Sequence, residues 1–197
     1  FKEEIVPVAT SQKNGSVSVT EDESVKRFDA EKMRALKPAF KADGTVTAGN
    51  SSSISDGAAA LVLMTAEKAA ALGLKPLARV VGAVSAAREP EWFTIAPADA
   101  IPKLLDKCGY LSSDIDLFEI NEAFSAASIA VNRLLRLDPE KVNVRGGAVA
   151  LGHPIGASGA RILTTLTHAL IDLNKERGVA ALCIGGGEAV AMMVERV

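Results

Sequence analysis

Lys141-Val-Asn-Val-Arg-Gly-Gly147 leads through Gly152-His-Pro-Ile-Gly-Ala-Ser-Gly-Ala-Arg161 into a long apolar helical stretch, which gives way to Val179-Ala-Ala-Leu-Cys-Ile-Gly-Gly-Gly187. Lys141 to Val144 reads as a strand running into the glycines at 146 and 147. Pro154 suits a first helical turn because its fixed φ is already helical, and the predicted helix extends to about Lys175 with Gly178 as its stop. Val179 to Ile184 and Ala189 to Val194 flank the three glycines as an apolar hairpin. Strand, helix and strand in this order predict an α/β layered domain.

The same alternation continues upstream. Leu117 to Ile120 is predicted as a strand, and Asn121-Glu-Ala-Phe124 opens a helix running to Leu135. Pro97 to Lys107 reads as a helix whose apolar residues at 101, 104, 105 and 108 share one face. Leu77 to Ser85 is β-branched and apolar, a strand beyond Pro76; before it, Thr65 caps a short alanine-rich helix ending near Gly73. Gly44-Thr-Val-Thr-Ala-Gly-Asn50, three serines and Asp56-Gly57 look like a loop feeding a buried strand, Ala58 to Met64. The first 44 residues carry short apolar alternation (Ile5, Val6, Val8; Val17, Val19), a charged run from Glu21 to Arg27 and a polar helix-like stretch from Asp29 to Leu36. They read as a surface excursion.

Composition narrows the function classes. With 48% hydrophobic residues among 197, the chain can fill a globular core. Its 22 basic and 24 acidic residues give a net charge of −2 with no concentration of Lys or Arg, which speaks against nucleic acid as a partner. Apolar runs such as Ala58 to Met64 fall far short of the roughly 20 residues a membrane span needs. The opening Phe1-Lys2-Glu3-Glu4 has neither a methionine nor a charged-then-apolar leader, so a preceding segment is expected to be missing. Cys108 and Cys183 sit in unrelated contexts and are expected as free thiols in a reducing compartment, with Cys108 on the apolar stripe of its helix as core packing.

Three side chains stand out at sharp turns: Asn121, His153 and Cys183. Sites gather at the strand ends of α/β sheets. An imidazole titrating near 6.5 can take a thiol proton at neutral pH, and a cysteine can do so for a carbon acid if its thiolate is favoured locally. Each also has an ordinary reading: a turn histidine, a small core hydrophobe, an N-cap. Other chemistries lack their patterns. Gly156-Ala-Ser-Gly-Ala160 is not a Gly-x-Ser-x-Gly elbow, the glycine-rich run has neither phosphate-loop nor dinucleotide spacing, and His153 and His168 with two distant cysteines give no zinc spacing.

Taken together, Asn121-Glu-Ala-Phe124, Gly152-His-Pro-Ile-Gly-Ala-Ser-Gly-Ala-Arg161 and Cys183-Ile-Gly-Gly-Gly187, in this order and at these separations, resemble the three carboxy-terminal signatures of the thiolase family. The similarity extends through Thr45-Val-Thr-Ala-Gly-Asn-Ser-Ser52 and Asp56-Gly-Ala-Ala-Ala60, and so covers essentially the whole chain. It implies the α/β thiolase fold, layered αβαβα. Residues 1–54 would end the inserted loop domain, 55–76 would supply the last strand and helix of the amino-terminal domain, and 77–197 would form the carboxy-terminal domain. The implied reaction is reversible Claisen condensation of two acetyl-CoA to acetoacetyl-CoA and CoA through a cysteine acyl-enzyme. Its nucleophile would lie in an amino-terminal half absent from this chain, leaving the isolated chain inactive.

The resemblance also implies roles. His153 matches the histidine that activates the nucleophile, and Cys183 the cysteine that shuttles the α-carbon proton. Asn121 matches the asparagine that fixes a water and forms one oxyanion hole with His153, and the backbone around Gly185 helps supply the other. Ser52 matches a contact to the pantetheine arm, while Arg27, Phe28, Asp29 and Lys32 fall where the family holds the nucleotide end of coenzyme A. Glu89-Pro-Glu-Trp-Phe-Thr-Ile-Ala-Pro97 resembles the short-chain, acetoacetyl-CoA type. Members with that stretch can bind potassium through backbone carbonyls, here those of Ala48, Gly49, Ser51 and Val149, with Gly49 standing where alanine is usual. No prosthetic group is implied. Expected partners are the acyl-CoA substrates, the amino-terminal half as a separate or cleaved chain, and further copies in a homodimer or homotetramer, in the cytoplasm or a matrix or peroxisomal compartment. The alternatives are a degradative 3-ketoacyl-CoA thiolase of broader chain length and a non-catalytic thiolase-fold subunit. A ketoacyl synthase is disfavoured because such enzymes generally have a histidine where Asn121 stands.

Overall fold

The computed structural model describes residues 1–13 and 15–197. In chain order its elements are strands β1 (Val8–Gln12) and β2 (Gly15–Val19), helices α1 (Glu23–Lys26), α2 (Ala30–Arg34) and α3 (Ala66–Ala71), strand β3 (Ala78–Ala87) and helix α4 (Pro97–Cys108). Strand β4 (Leu117–Ile120), helices α5 (Ser125–Leu135), α6 (Ala148–Leu151) and α7 (Ser158–Asp172), and strands β5 (Arg177–Ile184) and β6 (Glu188–Arg196) follow.

The main sheet has the order β3-β6-β5-β4. β6 runs antiparallel to both β3 and β5, whereas β4 and β5 are parallel. Parallel neighbours need a crossover, and the crossover here is α5, α6 and α7. Because strand side chains alternate, the sheet fills two cores. On one face Phe118, Ile120, Val179, Ala181 and Met193 pack with Ala100, Ile101 and Leu104 of α4 and Val131 of α5. On the other Leu117, Ala180 and Val194 pack with Ile162, Leu166 and Leu170 of α7. This is a helix, sheet, helix stack, one half of the expected layered arrangement. Each fully buried Leu or Ile contributes about 1.5–3 kcal/mol, so these two cores fix the sheet from both sides. Among the described residues no helix is long and apolar enough to cross a membrane.

The β5–β6 hairpin and helix α4 form where the patterns predict, with α4 closed by Gly109 at φ 74 in a left-handed cap. Thr65 caps α3 by accepting from Lys68 N–H. Cys108 lies partly buried against the α4-side core, and a Cβ on Gly82 of β3 would stand 2.6 Å from its sulfur. The surface reading of the first residues holds: β1 and β2 form a hairpin, and neither α1 nor α2 buries a residue.

Other expectations are corrected. Ala58 to Met64 is neither a strand nor buried: Val62 is 87% and Leu63 67% exposed. A strand needs a neighbour for its N–H and C=O groups, and no described strand lies beside this segment. Lys141 to Val144 makes only two isolated bridges, Phe118 with Val142 and Val144 with Gly146, because Asn143 turns left-handed at φ 48 and breaks the extended run. The Asn-Glu-Ala-Phe stretch is a turn, and its helix begins only at Ser125. Pro154 opens a turn that precedes α7. The stretch from Asp29 to Leu36 shortens to α2, with Asp29 as its N-cap.

Gly178 does not stop α7, which ends at Asp172; it lies inside β5. A Cβ there would fall 2.6, 2.9 and 3.0 Å from Cδ1, Cγ and Cδ2 of Leu166, which is fully buried and has nowhere to move. Glycine is required because helix and strand touch at that point. Gly178→Ala is therefore expected to destabilise the chain by about 1–3 kcal/mol, read as a lower denaturant midpoint, and Leu166→Ala in the same chain should recover part of the overpacking loss.

Candidate active site

Three chain segments converge where β4 ends. Asn121 leaves β4 with its N–H bonded to the Ala181 carbonyl at 2.9 Å, which ties it to β5 two residues before Cys183. Asn143 fixes the direction of that exit: its Oδ1 accepts from Ile120 N–H at 2.8 Å, and its Nδ2 donates to the Ile120 carbonyl at 2.8 Å and to Glu122 Oε1 at 3.2 Å. Glu122 Oε2 accepts from Val149 N–H at 3.1 Å, binding the turn to α6, the helix that delivers His153. A Cβ on Gly147 would lie 2.5 Å from the Glu122 carboxyl carbon, so this approach also needs glycine.

His153 follows α6 and pairs in parallel with Ile54, its N–H donating to the Ser53 carbonyl at 2.8 Å. It does not sit at a strand end as expected, because the strand before it does not form. Its Nδ1 lies 2.6 Å from the buried Ser158 Oγ, and that hydroxyl lies 3.1 Å from the Pro154 carbonyl. The carbonyl can only accept and the hydroxyl has one proton, so the hydroxyl donates to Pro154 and Nδ1–H donates to Ser158. Nε2 keeps its lone pair. Asn121 Nδ2 faces that nitrogen at 3.4 Å as a donor, which is the polarity the lone pair requires. Burial and then the Arg161 guanidinium hold the imidazole below its ordinary range. It is thus a neutral base at pH 7 with one defined tautomer.

Asn121 Oδ1 is buried without a protein partner among the described residues. A buried acceptor of this kind calls for a water or a ligand. Cys183 is half-buried in β5 opposite Ala189, and burial pushes its thiol up. A locally favoured thiolate is therefore not what this chain supplies, and the sulfur rests protonated. No hydrogen bond joins it to Asn121 or His153 among the described residues. The turn beyond it holds Gly186 at φ 105 and Gly187 at φ 111, and a Cβ on Gly187 would meet the Arg88 carbonyl at 2.2 Å. The space beside Gly185 is open.

Ser52 belongs to the same cluster, its N–H and Oγ both donating to the Ala123 carbonyl, at 3.1 and 2.9 Å. Arg27, Phe28, Asp29 and Lys32 lie on the surface of the α1–α2 segment. Arg27 pairs with Glu23, Asp29 caps α2 and Lys32 lies 3.3 Å from Asp29, while Phe28 is 68% exposed. Ala48 and Gly49 sit in a single 3-10 turn, with Ser51 bridged to Phe124; Val149 approaches the other side of the Asn121–Phe124 turn through Glu122. A Cβ on Gly49 would stand 2.6 Å from Met33 Cγ, which accounts for glycine at that position here. An open cleft of about 580 Å³ lies beside His153, between Ser55–Ala59 and Pro154–Ala157.

Sequence reasoning missed Ser158, Asn143 and Glu122. Ser158 was visible only as a failed hydrolase elbow, although a hydroxyl five residues after a histidine across a Pro-led turn can return to the ring. Asn143 carried a weak signal, since asparagine is the residue type that tolerates left-handed backbone.

Comparison with known proteins agrees with this fold. The family model "Thiolase, C-terminal domain" matches residues 74–196, and "Thiolase, N-terminal domain" matches residues 1–67. An acetyl-CoA acetyltransferase of Schizosaccharomyces pombe is 49% identical over 100% of this chain and 50% of its own length. Acetyl-CoA acetyltransferase 2 of Arabidopsis thaliana is 56% identical over 99% of this chain and 49% of its own. The crystal structure of the Bacillus anthracis acetyl-CoA acetyltransferase superposes with a TM-score of 0.94 at 49% identity, covering 98% of this chain and 49% of that one. Human mitochondrial 3-ketoacyl-CoA thiolase superposes with a TM-score of 0.89 at 39% identity, covering 97% and 49%. The chain spans about half the length of the curated relatives it matches, and it belongs to the thiolase family.

Proposed function

We propose that this chain carries the carboxy-terminal part of the active site of an acetyl-CoA C-acetyltransferase, which condenses two acetyl-CoA into acetoacetyl-CoA and CoA and runs in reverse. The observation that carries the reading is the His153 imidazole, held neutral with its Nε2 lone pair beside Asn121 and its Nδ1 fixed by Ser158. A cysteine outside this chain is the nucleophile. Its thiol proton passes to His153 Nε2, its sulfur bonds to the acetyl carbonyl, and the departing CoA thiolate takes the proton back. In the second half Cys183 accepts the α-carbon proton of another acetyl-CoA, and the enolate displaces the cysteine sulfur from the acyl group. Since the Cys183 thiol rests protonated, it first passes that proton to His153, free again after protonating the departing CoA, and His153 returns it to the nucleophile sulfur as the acyl group leaves. In the thiolytic direction it is already the acid that returns a proton to carbon.

The enolate oxygen needs donors aimed at it; one such donor is worth about 2.7–4 kcal/mol of barrier. Asn121, through a water, and His153, once it carries the proton, fill that role, and the backbone at Gly185 serves the acyl carbonyl. Ser52 lies where the pantetheine arm passes, and Arg27, Phe28, Asp29 and Lys32 take the nucleotide end. Potassium suits a donor set made only of backbone carbonyls. Ala48, Gly49, Ser51 and Val149 would hold it, and its charge would stiffen the loop beside the turn. A degradative 3-ketoacyl-CoA thiolase is the second reading, favoured by the likeness to the human mitochondrial enzyme. A chain-length series of kcat/KM separates the two.

Alone, the chain is expected not to turn over acetoacetyl-CoA, and activity should appear when the amino-terminal half is supplied. In that assembly Cys183→Ala should cut condensation by about 10²–10⁴-fold while acyl exchange with labelled CoA persists; equal loss of both would overturn its role. Ser158→Ala should lower acyl exchange about 10-fold or more and mix the two imidazole tautomers in the ¹⁵N spectrum of His153, with Ser158→Thr recovering both. His153 works as the neutral base and its affinity for a proton is depressed, so the acid limb of kcat/KM should fall below the ordinary imidazole value of about 6.5; a limb at or above it would contradict the assignment.

A further inference from the structure

One rung below the Asn121–His153 contact lies a pair of ionisable residues that this chemistry does not use. Residues 117, 119 and 121 share the side of β4 that faces α7. Leu117 packs with Ile162 and Leu166, and Glu119 meets Arg161, which stands one turn after Ser158 on the helix. Glu119 is 2% exposed. Among the described residues its Oε1 has no hydrogen-bond partner, and its Oε2 lies 3.9 Å from Arg161 Nη1, beyond hydrogen-bond reach. That nitrogen points instead to Thr165 Oγ1 at 3.5 Å, and the Thr165 hydroxyl donates to Glu4 Oε2 at 2.7 Å.

The charged groups facing Glu119 are Arg161 from α7, Glu122 from the turn after β4, Glu4 from the amino-terminal segment and Arg145 from the loop before α6. Two of the four are carboxylates. A buried carboxylate is stable when several donors reach it, and Glu119 has none. Burial first, and then Glu122 and Glu4, push its carboxyl up to about 8 against the opposing pull of Arg161. The same guanidinium acts on His153 from the other direction.

We propose that Glu119 stands as a neutral carboxylic acid at physiological pH, so that the Arg161 charge stays uncompensated toward His153 and keeps its imidazole unprotonated. Glu119 and Arg161 are then positioning residues for the His153 proton. Ionisation of Glu119 at alkaline pH pairs it with Arg161 and raises the proton affinity of His153. The use of this coupling rests on His153 being the base, but the coupling itself is measured without substrate, so either reading can fail while the other stands.

The test is an NMR titration of the intact protein carrying labelled histidine and carboxyl-labelled glutamate, with His168→Gln used to assign the two imidazoles. In the wild type one glutamate carboxyl should titrate near pH 8, and it should be missing in the isosteric Glu119→Gln. Glu119→Gln should leave the His153 midpoint unchanged, whereas Arg161→Gln should raise it and Arg161→Lys should restore it. The proposal is overturned if no wild-type carboxyl titrates above the ordinary carboxylate range, a measurement that needs no variant to fold. It is overturned equally if Glu119→Gln lowers the His153 midpoint, which would mean that the carboxyl was ionised and already compensating Arg161.

Discussion

A carboxamide standing in for a peptide group governs the site. Asn143 offers Ile120 both an acceptor and a donor, as a neighbouring strand would, and so continues the ladder at the edge of β4 where no regular strand runs. That pairing holds the last strand residue in register, and the chain can then turn sharply at Asn121 without fraying. Everything downstream inherits the constraint: Asn121 meets the His153 ring, Glu122 reaches back to Asn143 and across to α6, and Ser52 anchors to Ala123. Net worth per neutral hydrogen bond is only about 0.5–1.5 kcal/mol, but several of them define one geometry, and the alternatives each leave a buried polar group unpaired.

The electrostatic design keeps the reacting groups uncharged at rest. Burial disfavours both an imidazolium at His153 and a thiolate at Cys183, so neither group carries a charge at rest. In the proposed reaction charge would arise only as it proceeds, and donors fixed in advance would meet it with little reorganisation. Two of the buried polar atoms without a partner among the described residues, Asn121 Oδ1 and Glu119 Oε1, belong to residues on the same side of β4. The first awaits a donor from a water or ligand and the second is satisfied by a proton of its own.

Elements with a strong internal pattern were legible in sequence. The β5–β6 hairpin announces itself through two apolar runs around three glycines, and α4 through its apolar stripe. Asn121, His153 and Cys183 were legible as residues in motifs, but not their wiring. The His153–Ser158 bond depends on a turn between them whose geometry no periodicity encodes, and Asn143 matters through a left-handed backbone angle. Lys141 to Val144 failed because Asn143 turns left-handed and interrupts the extended run, and Ala58 to Met64 because an apolar run becomes a strand only when a neighbour accepts its hydrogen bonds, and that neighbour is not written in the run itself. Gly178 was misassigned because glycine marks close approach as readily as it marks a helix end.

The uncovered run at Ala58 to Met64 has a colloidal consequence. It is a seven-residue, uncharged, proline-free stretch whose Val62 and Leu63 lie largely in water, the composition that stacks readily into cross-β layers. The charges that follow it, Glu67 and Lys68, lie in a helix and cannot act as gatekeepers on the run itself. Handling this chain in concentrated solution is therefore a contest between folding elsewhere and self-association here, and a soluble cap over that one segment would shift the balance more than any further stabilisation of the sheet.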